Sequence, residues 1–320
     1  MRKKVVVIGG GTGLSVILRG LKTFPIDITA IVTVADDGGS SGILRKELDI
    51  PPPGDVRNVL VALAEVEPLV EELFQHRFAS GDGLNGHSLG NLLLAGMTSI
   101  TGDFQQGIAT ISRVLNVRGR VLPSANASII LHAEMEDGTH VSGESQIPLA
   151  KNKIKRVYLT PSDISPLPET LKALAEADLI VLGPGSLYTS ILPNLLVPGI
   201  VEAIHASSAS KAYICNVMTQ MGETDGYSAS DHLQALVSHC GPHIVQTVLV
   251  NGEPISADVL DRYQLEQAKQ VVVDKQRLES MGISVIEDRF VLESGQKLRH
   301  DAMKVSEALM DLIVEKVQGI

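Results

Sequence analysis

Apolar and polar positions follow two regular patterns along this chain. Five short runs rich in valine and isoleucine are almost continuously apolar, which is typical of parallel strands buried on both faces. The predicted strands are 4–9, 27–34, 178–183, 211–216 and 244–250. Other stretches repeat apolar residues at the spacing of amphipathic helices. The predicted helices are 13–22, 55–66, 90–100, 104–116, 168–177, 198–207, 229–239 and 301–317.

One segment departs from this alternation. Residues 127–147 have the pattern of two strands joined at Glu136-Asp137-Gly138, and Asp-Gly is a common hairpin turn. The antiparallel piece is expected to continue to 156–161. We therefore predict one α/β domain spanning 1–320. Its Rossmann-like, doubly wound, mostly parallel sheet carries a small antiparallel β insertion near 120–160.

Composition and charge disfavour several classes of partner and of cellular location. The chain has 320 residues, no Trp and 3% aromatic residues, so the core is expected to consist of Val, Ile, Leu and Ala. A formal net charge of -10 disfavours nucleic-acid partners and anionic membrane surfaces. No run reaches the roughly 18 apolar residues of a membrane span. Cys215 and Cys240 lie outside any metal-binding spacing, which favours a cytoplasmic location.

The first predicted strand ends in a glycine-rich loop within VVVIGGGTGLSVILRGLK, residues 5–22. Backbone N–H groups of such a loop approach phosphate oxygens at a helix N-terminus. The candidate nucleotide-binding residues here are Gly10, Gly11, Thr12, Gly13 and Leu14. A dinucleotide fingerprint requires G-x-G-x-x-G, and its third glycine falls on Leu14 or Val16 in the two registers. The spacing favours a phosphate-facing loop over a nicotinamide fingerprint.

More polar, glycine-bearing loops follow other predicted strands. Asp36 and Asp37 end the second strand, where carboxylates can hold a ribose, a Mg²⁺ ion or a substrate hydroxyl. Gly38, Gly39 and Gly42 are expected to form a flexible loop, and Asp55 is expected to cap helix 55–66. Carboxyl ends of parallel strands share one edge, so these loops should face one crevice. Further candidates in them are Ser40, Ser41, Asn58, Ser88, Asn91, Gly185, Ser186 and Asn216.

Two other segments contain candidate chemistry. GHSLG, residues 86–90, matches the nucleophile elbow of α/β-hydrolases, but that elbow needs a buried strand before it, and FASGDGLN is not one. A loop that caps helix 90–100 is predicted instead. Near the C-terminus, Tyr263 is a candidate to stack on a base and Arg299 to pair with a phosphate. The alternative for both is an ordinary surface position.

Six blocks taken together resemble a known family. They are GGGTGLSVILRGLK, TVADDGGSSGILR, PPGDVRNVLVAL, GHSLGNLLLAG, GPGSLYTSILPNLLVPGI and YICNVMTQMGETDGYSASDHL. They are similar to those of the bacterial YvcK-like putative gluconeogenesis factors. That family lies in the CofD-like superfamily, whose founding enzyme is a 2-phospho-L-lactate transferase. The likeness spans essentially the whole chain.

The resemblance implies a Rossmann-like fold that binds a nucleotide sugar such as UDP-N-acetylglucosamine. It also implies a cytoplasmic role in gluconeogenic growth and in control of cell shape and cell wall. Gly10 to Gly13, Asp36 and Asp37 match motifs of the superfamily. PPPGDVRN departs from the Asp-rich block of the transferase branch, although Asp55 keeps one carboxylate.

Three functions stay open. The first is a regulatory protein that binds a UDP-sugar, requires no cofactor and acts through a downstream protein that the sequence does not identify. The second is a transferase of a phospho-linked group, with Asp36 or Asp37 holding Mg²⁺ and Asp55 orienting an acceptor hydroxyl. The third is an NAD-binding oxidoreductase, which the missing third glycine disfavours. A homodimer is expected by default.

Overall fold

The computed structural model describes residues 2–66, 68–265, 267–294 and 297–318. The strands are β1 (Lys3–Gly9), β2 (Ile26–Val32), β3 (Arg120–Pro123), β4 (Ile130–Met135), β5 (His140–Ser142), β6 (Ile154–Thr160), β7 (Leu179–Leu182), β8 (Ser210–Ile214), β9 (Thr247–Asn251), β10 (Ser284–Asp288), β11 (Val291–Ser294) and β12 (Lys297–His300). The helices are α1 (Gly11–Leu21), α2 (Gly39–Leu48), α3 (Gly54–Leu63), α4 (Pro68–Gln75), α5 (Leu89–Thr101), α6 (Phe104–Val114), α7 (Pro168–Ala175), α8 (Leu192–Leu195), α9 (Ile200–Ala206), α10 (Ala229–Cys240), α11 (Ala257–Leu265), α12 (Lys275–Ser280) and α13 (Ala302–Gln318). A 3₁₀ turn spans Ile147–Ala150, and a π-helical turn spans Leu187–Ile191.

Seven parallel strands form the central sheet in the order β10-β9-β8-β7-β1-β2-β3. β1 pairs with β2 on one side and with β7 on the other, so Val5 lies opposite both Ile28 and Leu179. Its residues Val5 to Ile8 are buried because helices cover both faces of the sheet. The strand order reverses at β1. At such a reversal the loops after the two neighbouring strands run to opposite faces of the sheet, and a crevice forms between them. The predicted α/β fold class is confirmed.

The predicted strands and helices all occur, with ends shifted by a few residues. Two strands of the central sheet were missed. β10 lies at the sheet edge, and its residues are exposed or half-buried, so it lacks the continuous apolar pattern. β3 was assigned to the antiparallel insertion, but it pairs in parallel with β2, as Thr29 opposite Arg120 shows. The insertion proper therefore begins at β4.

The region after β2 corrects two predictions. Gly38 to Gly42 do not form a flexible loop, since α2 begins at Gly39 and the Gly42 N–H donates to the Gly38 carbonyl. A Cβ on Gly42 would collide with the Asp37 carbonyl, so glycine lets the helix begin directly beside the strand end. Asp55 does not cap α3 either, because Pro53 occupies the N-cap and the Asp55 side chain faces the glycine loop.

The predicted antiparallel insertion is a three-stranded sheet in the order β5-β4-β6. Its hairpin turns at Gly138, whose φ of 85° suits glycine. Leu131, Ala133 and Met135 of β4 point into the core, which joins the insertion to the main sheet. This attachment brings the segment after β5 to the carboxyl edge of the central sheet, where the glycine loops lie.

Helix α13 covers the sheet beside α1. Gly20 lies at this contact, where a Cβ would collide with Ala302 and lie 2.5 Å from Ser306 Oγ. No single helix among the described residues is long and apolar enough to span a membrane. Leu187–Leu195 and Ile200–Ala206 meet the length and composition criteria only as a pair bent by 75°.

Candidate functional site

The loops after β1, β7 and β8 enclose a crevice of approximately 750 Å³ at the carboxyl edge of the sheet. Gly10 takes the N-cap of α1 in an extended conformation, and Gly11 follows with a φ of 66°. Gly13 lets the two glycine loops touch, since a Cβ there would lie 3.0 Å from the Pro184 carbonyl oxygen. Asn194 fixes the first loop from behind, because its Nδ2 donates to the Gly9 carbonyl at 3.0 Å.

Side-chain hydrogen bonds join the other two loops. Asn216 Nδ2 donates to Gln220 Oε1 at 3.2 Å, and Gln220 Nε2 donates to Ser186 Oγ at 2.8 Å. Behind them, the Glu223 carboxylate accepts from Thr189 Oγ1 at 3.0 Å and from the Tyr188 N–H at 3.3 Å. Desolvation raises the pKa of Glu223 to about 7. This carboxylate holds the π-helical turn that carries the crevice wall, and sequence reasoning missed it.

The fourth wall comes from the C-terminal part of the chain. Tyr263 of α11 lines the crevice and accepts a hydrogen bond from the Leu298 N–H at 3.1 Å. Arg299 lies beside it on β12 with its side chain exposed. The next residue, His300, lies 3.4 Å from the Cys215 carbonyl oxygen, and desolvation lowers its pKa to about 4. A neutral imidazole therefore closes this end of the crevice at pH 7.

Asp55 lies under the first glycine loop. A Cβ on Gly10 would lie 2.5 Å from Asp55 Oδ2 and 2.6 Å from Thr33 Cγ2, so only glycine fits there. Desolvation, then the Asp36 charge, raises the pKa of Asp55 to about 7, although the Gly11 N–H donates to the carboxylate and opposes the shift. A carboxyl group with this pKa can exchange a proton near neutral pH.

The carboxylates of Asp36 and Asp37 accept hydrogen bonds from different backbone N–H groups. Asp36 Oδ1 accepts from the Gly38 N–H, and Asp37 Oδ1 accepts from the Ser145 N–H, each at 2.9 Å. Each carboxylate therefore has one oxygen held by a backbone N–H. Across the described residues, no group of three or more His, Cys, Asp and Glu side chains is placed to hold a metal. A Mg²⁺ ion at this pair stays a prediction.

Glu144 joins these acids from the insertion. Desolvation first, then the charges of Asp36 and Asp55, raises its pKa to about 8. Sequence reasoning missed Glu144 because the pattern of the insertion shows no sign that it reaches the sheet edge.

The structure divides the predicted nucleotide-binding residues into three groups. Those that line the crevice are Gly10, Gly11, Thr12, Gly13, Gly185, Ser186, Asn216, Tyr263 and Arg299. Leu14 points into the core. The others lie near helix N-termini instead: Ser40 and Ser41 in the first turn of α2, Asn58 in the second turn of α3, and Ser88 and Asn91 at the start of α5. Crevice residues that the sequence did not single out include Pro184, Ser190, Gln220 and Leu298.

Ser88 has the role that the sequence predicted within its loop. It is the N-cap of α5 and accepts from the Asn91 N–H at 3.2 Å. The residues before it form no strand, apart from the single bridge between Arg77 and Ser88. The geometry of a nucleophile elbow is therefore absent from this described segment.

The resemblance to known proteins is extensive. A family model described as 2-phospho-L-lactate transferase CofD matches residues 5–291. The chain belongs to the CofD family. Within the family it is 70% identical over 310 residues to a gluconeogenesis factor of Halalkalibacterium halodurans, covering 97% of this chain and 96% of that protein. It is 60% identical over 314 residues to a gluconeogenesis factor of Bacillus subtilis, covering 98% of this chain and 99% of that protein.

A solved crystal structure shares the fold. The X-ray crystal structure of a Bacillus halodurans protein superposes with a TM-score of 0.96 at 70% sequence identity, covering 97% of this chain and all of that one. The predicted resemblance to CofD-like gluconeogenesis factors is thereby confirmed.

Proposed function

We propose that this CofD-family protein binds a nucleotide sugar in the crevice and acts as a regulatory factor for gluconeogenic growth and cell-shape control. The observation that carries the proposal is the arrangement of the crevice lining. Thr12 and Gly13, whose backbone N–H groups lie in the first turn of α1, line the crevice together with Tyr263 and Arg299. A pyrophosphate needs such N–H groups, and a base needs a flat face such as Tyr263.

The family and the polar lining support a UDP-sugar such as UDP-N-acetylglucosamine. Asn216, Gln220 and Ser186 supply hydrogen-bonding groups to the crevice lining, which a ribose or sugar would contact. Regulation further requires a second protein that recognises the complex of this chain with the UDP-sugar, and we propose that such a partner exists. A homodimer stays a prediction for this chain.

A second candidate function is transfer of a phospho-linked group. Asp55 favours it, because a carboxyl group with a pKa of about 7 lies directly beneath the glycine loop. In that role Asp55 would accept the proton of an acceptor hydroxyl as its oxygen bonds to the phosphorus of the transferred group. The bond from that phosphorus to the oxygen of the nucleotide's own phosphate would break, and the nucleoside monophosphate would leave. Mg²⁺, if bound there, would neutralise charge on the transferred group.

Calorimetric titration of the purified full chain with UDP-N-acetylglucosamine, GDP, GTP and NAD separates these functions. Each titration is run with and without Mg²⁺, and mass spectrometry follows turnover. Tight binding of the UDP-sugar without turnover is the expected result. Group transfer would replace the regulatory proposal with the transferase, and preferential binding of NAD would contradict both.

Gly11→Asp tests the position of the phosphates. A Cβ on Gly11 would lie 4.0 Å from Asp55 Oδ1, so the new carboxylate would face the phosphates beside an existing acid. We expect affinity for the UDP-sugar to fall about a hundredfold or more, because like charges cost several kcal/mol. Calorimetry provides the measurement.

Gly138→Asp is the matched control. Gly138 also has a positive φ and nothing within 4 Å of its Cβ position, but it lies in the hairpin turn after β4. Affinity should be unchanged in this variant. Equal losses in both variants would mean that a general loss of stability, rather than the phosphate position, explains the effect.

A further inference from the structure

A second cavity lies at the amino edge of the central sheet, at the opposite end of the strands from the crevice. Its volume is about 420 Å³, and we call it the amino-edge cavity. The first residues of β1, β2 and β3 and one side of α7 enclose it. Lys4 of β1 lines this cavity, whereas Gly10, just beyond β1, lines the crevice. Because a strand rises about 3.3 Å per residue, roughly 20 Å separate the two sites.

Strand register places much of the cavity lining on one face of the sheet. Lys4 lies opposite Asp27, and Thr29 lies opposite Arg120, in parallel pairs. All four side chains project from the same face, because paired residues and alternate residues of a strand do so. Between them, Val6 and Thr29 are buried. The cavity is therefore a concave site with an uncharged floor and charged walls.

Basic side chains predominate in this lining. The cations are Arg2, Lys4, Arg118, Arg120 and Lys172, and the acids are Asp27 and Glu176. The whole chain has the opposite balance, with 27 Lys and Arg against 37 Asp and Glu. A concave site lined mostly by one sign of charge raises the local concentration of the opposite ion. The cavity therefore attracts small anions, although the protein as a whole repels them.

One of the two acids is shared among several cations. Glu176 Oε2 lies 2.8 Å from Lys4 Nζ, and its Oε1 lies 3.9 Å from Lys172 Nζ. The hydrogen bond from Lys4, with the charges of Lys172 and Arg120, holds the pKa of Glu176 below its usual range. A single carboxylate thus faces three cations, and it leaves positive charge that it does not neutralise.

The remaining acids near the cavity face arginines. Asp27 Oδ1 lies 4.0 Å from Arg2 Nη1, and Glu65, outside the lining, lies 3.7 Å from Arg118 Nη1. Every side chain in the ion pairs of the cavity is at least 33% exposed. Exposed ion pairs contribute little to stability, so an incoming anion can replace a carboxylate at small cost.

Arg120 is the cation best placed to hold an anion. Its Nη2 donates to Thr29 Oγ1 at 3.1 Å, which orients the guanidinium. Among the described residues it forms no ion pair, and Glu176 acts on it only from beyond 4.0 Å. Gly119 brings this segment close to β2, since a Cβ there would lie 2.5 Å from the Ile28 carbonyl oxygen. A planar guanidinium held in this way can donate to two oxygens of one phosphate.

We propose that the amino-edge cavity binds a small phosphorylated molecule, whose phosphate contacts Arg120 and the lysines of β1 and α7. Arg120 donates to two phosphate oxygens, and Lys4 and Lys172 supply point charges. A phosphate monoester carries nearly two negative charges at pH 7, which suits the excess of cations better than a monocarboxylate does. The cavity volume is in the range of small-molecule sites. The proposal does not depend on which ligand the crevice holds.

The test titrates the full chain with glycerophosphate by calorimetry and ³¹P NMR at constant ionic strength. Glycerol and acetate are the comparators, because the first lacks the charge and the second carries only one. The titration is repeated at saturating UDP-N-acetylglucosamine. We expect millimolar or tighter binding of glycerophosphate, weaker binding of acetate, no binding of glycerol and no displacement by the nucleotide sugar.

Two cavity variants and a matched control test the residues. Arg120→Gln removes the guanidinium and should weaken glycerophosphate binding about tenfold or more. Lys172→Gln removes a point charge and should weaken it by a smaller factor. Arg156→Gln makes the same change at an arginine of β6 that is 63% exposed and lies outside the cavity, so affinity should stay at the wild-type value. Thermal melting of each variant confirms that it folds.

Several results would overturn the proposal. Wild-type affinity in both cavity variants would mean an adventitious ion only. An equal loss in Arg156→Gln would mean that overall charge, rather than the cavity, attracts the anion. Displacement by the UDP-sugar, or loss of glycerophosphate binding in Gly11→Asp, would place the phosphate in the crevice. Absence of binding to the wild-type chain at millimolar concentrations would also reject the site. Failure of the UDP-sugar to bind would contradict the proposed function but leave the two cavity variants decisive here.

Discussion

Asp55 carries a carboxylate that folding moves out of water and towards a second acid. The raised pKa of about 7 means that the folded protein binds a proton at Asp55 more tightly than the unfolded chain does, where the value is near 3.8. Sequence reasoning proposed Asp55 both as a helix cap and as a catalytic candidate, and the cap is wrong because Pro53 holds that position. The correct role depends on Gly10 and Gly11, which lie far from Asp55 in the sequence.

Asp55→Asn should therefore stabilise the protein in a pH-dependent way. Below about pH 3 the side chain is protonated in both states, so the variant and the wild type should have similar stability. From pH 4 to 7 the wild type should lose stability relative to the variant, by on the order of 4 kcal/mol, and the gap should stay constant above pH 8. Urea unfolding across this range provides the measurement. A variant that is less stable at pH 8 would contradict the desolvation of Asp55.

At the scale of elements, two helical glycines occupy opposite environments. Gly20 of α1 has no room for a Cβ, because α13 approaches it at Ala302 and Ser306. Gly96 of α5 is exposed and has nothing within 4 Å of its Cβ position. The sequence alone does not distinguish them, since both stand within apolar helical patterns.

Alanine at the two positions should have opposite effects. Gly20→Ala forces α1 and α13 apart and should lower the free energy of unfolding by about 2 kcal/mol. Gly96→Ala removes only the entropic cost of glycine and should raise it by about 1 kcal/mol. Chemical denaturation of the paired variants measures both. Changes of the same sign would show that the α1–α13 contact is looser than described.

Other elements show where the local sequence pattern was sufficient to predict an element and where it was not. The runs that became β1, β7 and β8 are almost wholly apolar because both faces are covered, so their pattern identified them. The segment that became α2 begins GGSSG, a composition that is typical of loops. This segment is helical nevertheless. Gly42 packs against the Asp37 carbonyl after β2, and this contact outweighs the low intrinsic helix propensity of glycine.

For the whole molecule, the crevice joins segments separated by most of the chain. If a UDP-sugar binds there, hydrogen exchange should slow at residues 10–13, 185–190 and 216–221 together, and at the end of β12. The hairpin turn at Gly138 should exchange equally with and without ligand. Exchange mass spectrometry at saturating ligand measures this pattern, and protection confined to one segment would contradict a shared crevice.

The sequence by itself determined the parallel α/β sheet, the glycine loops at the carboxyl edge and membership in the CofD family. These features follow from burial on two faces and from short motifs, and both are written in neighbouring residues. Only the tertiary structure decided that Tyr263 and Arg299 line the same crevice as the glycine loop, and that Glu144 joins Asp36 and Asp55. Such relations depend on the distance and direction between side chains remote in sequence, and no local pattern encodes them.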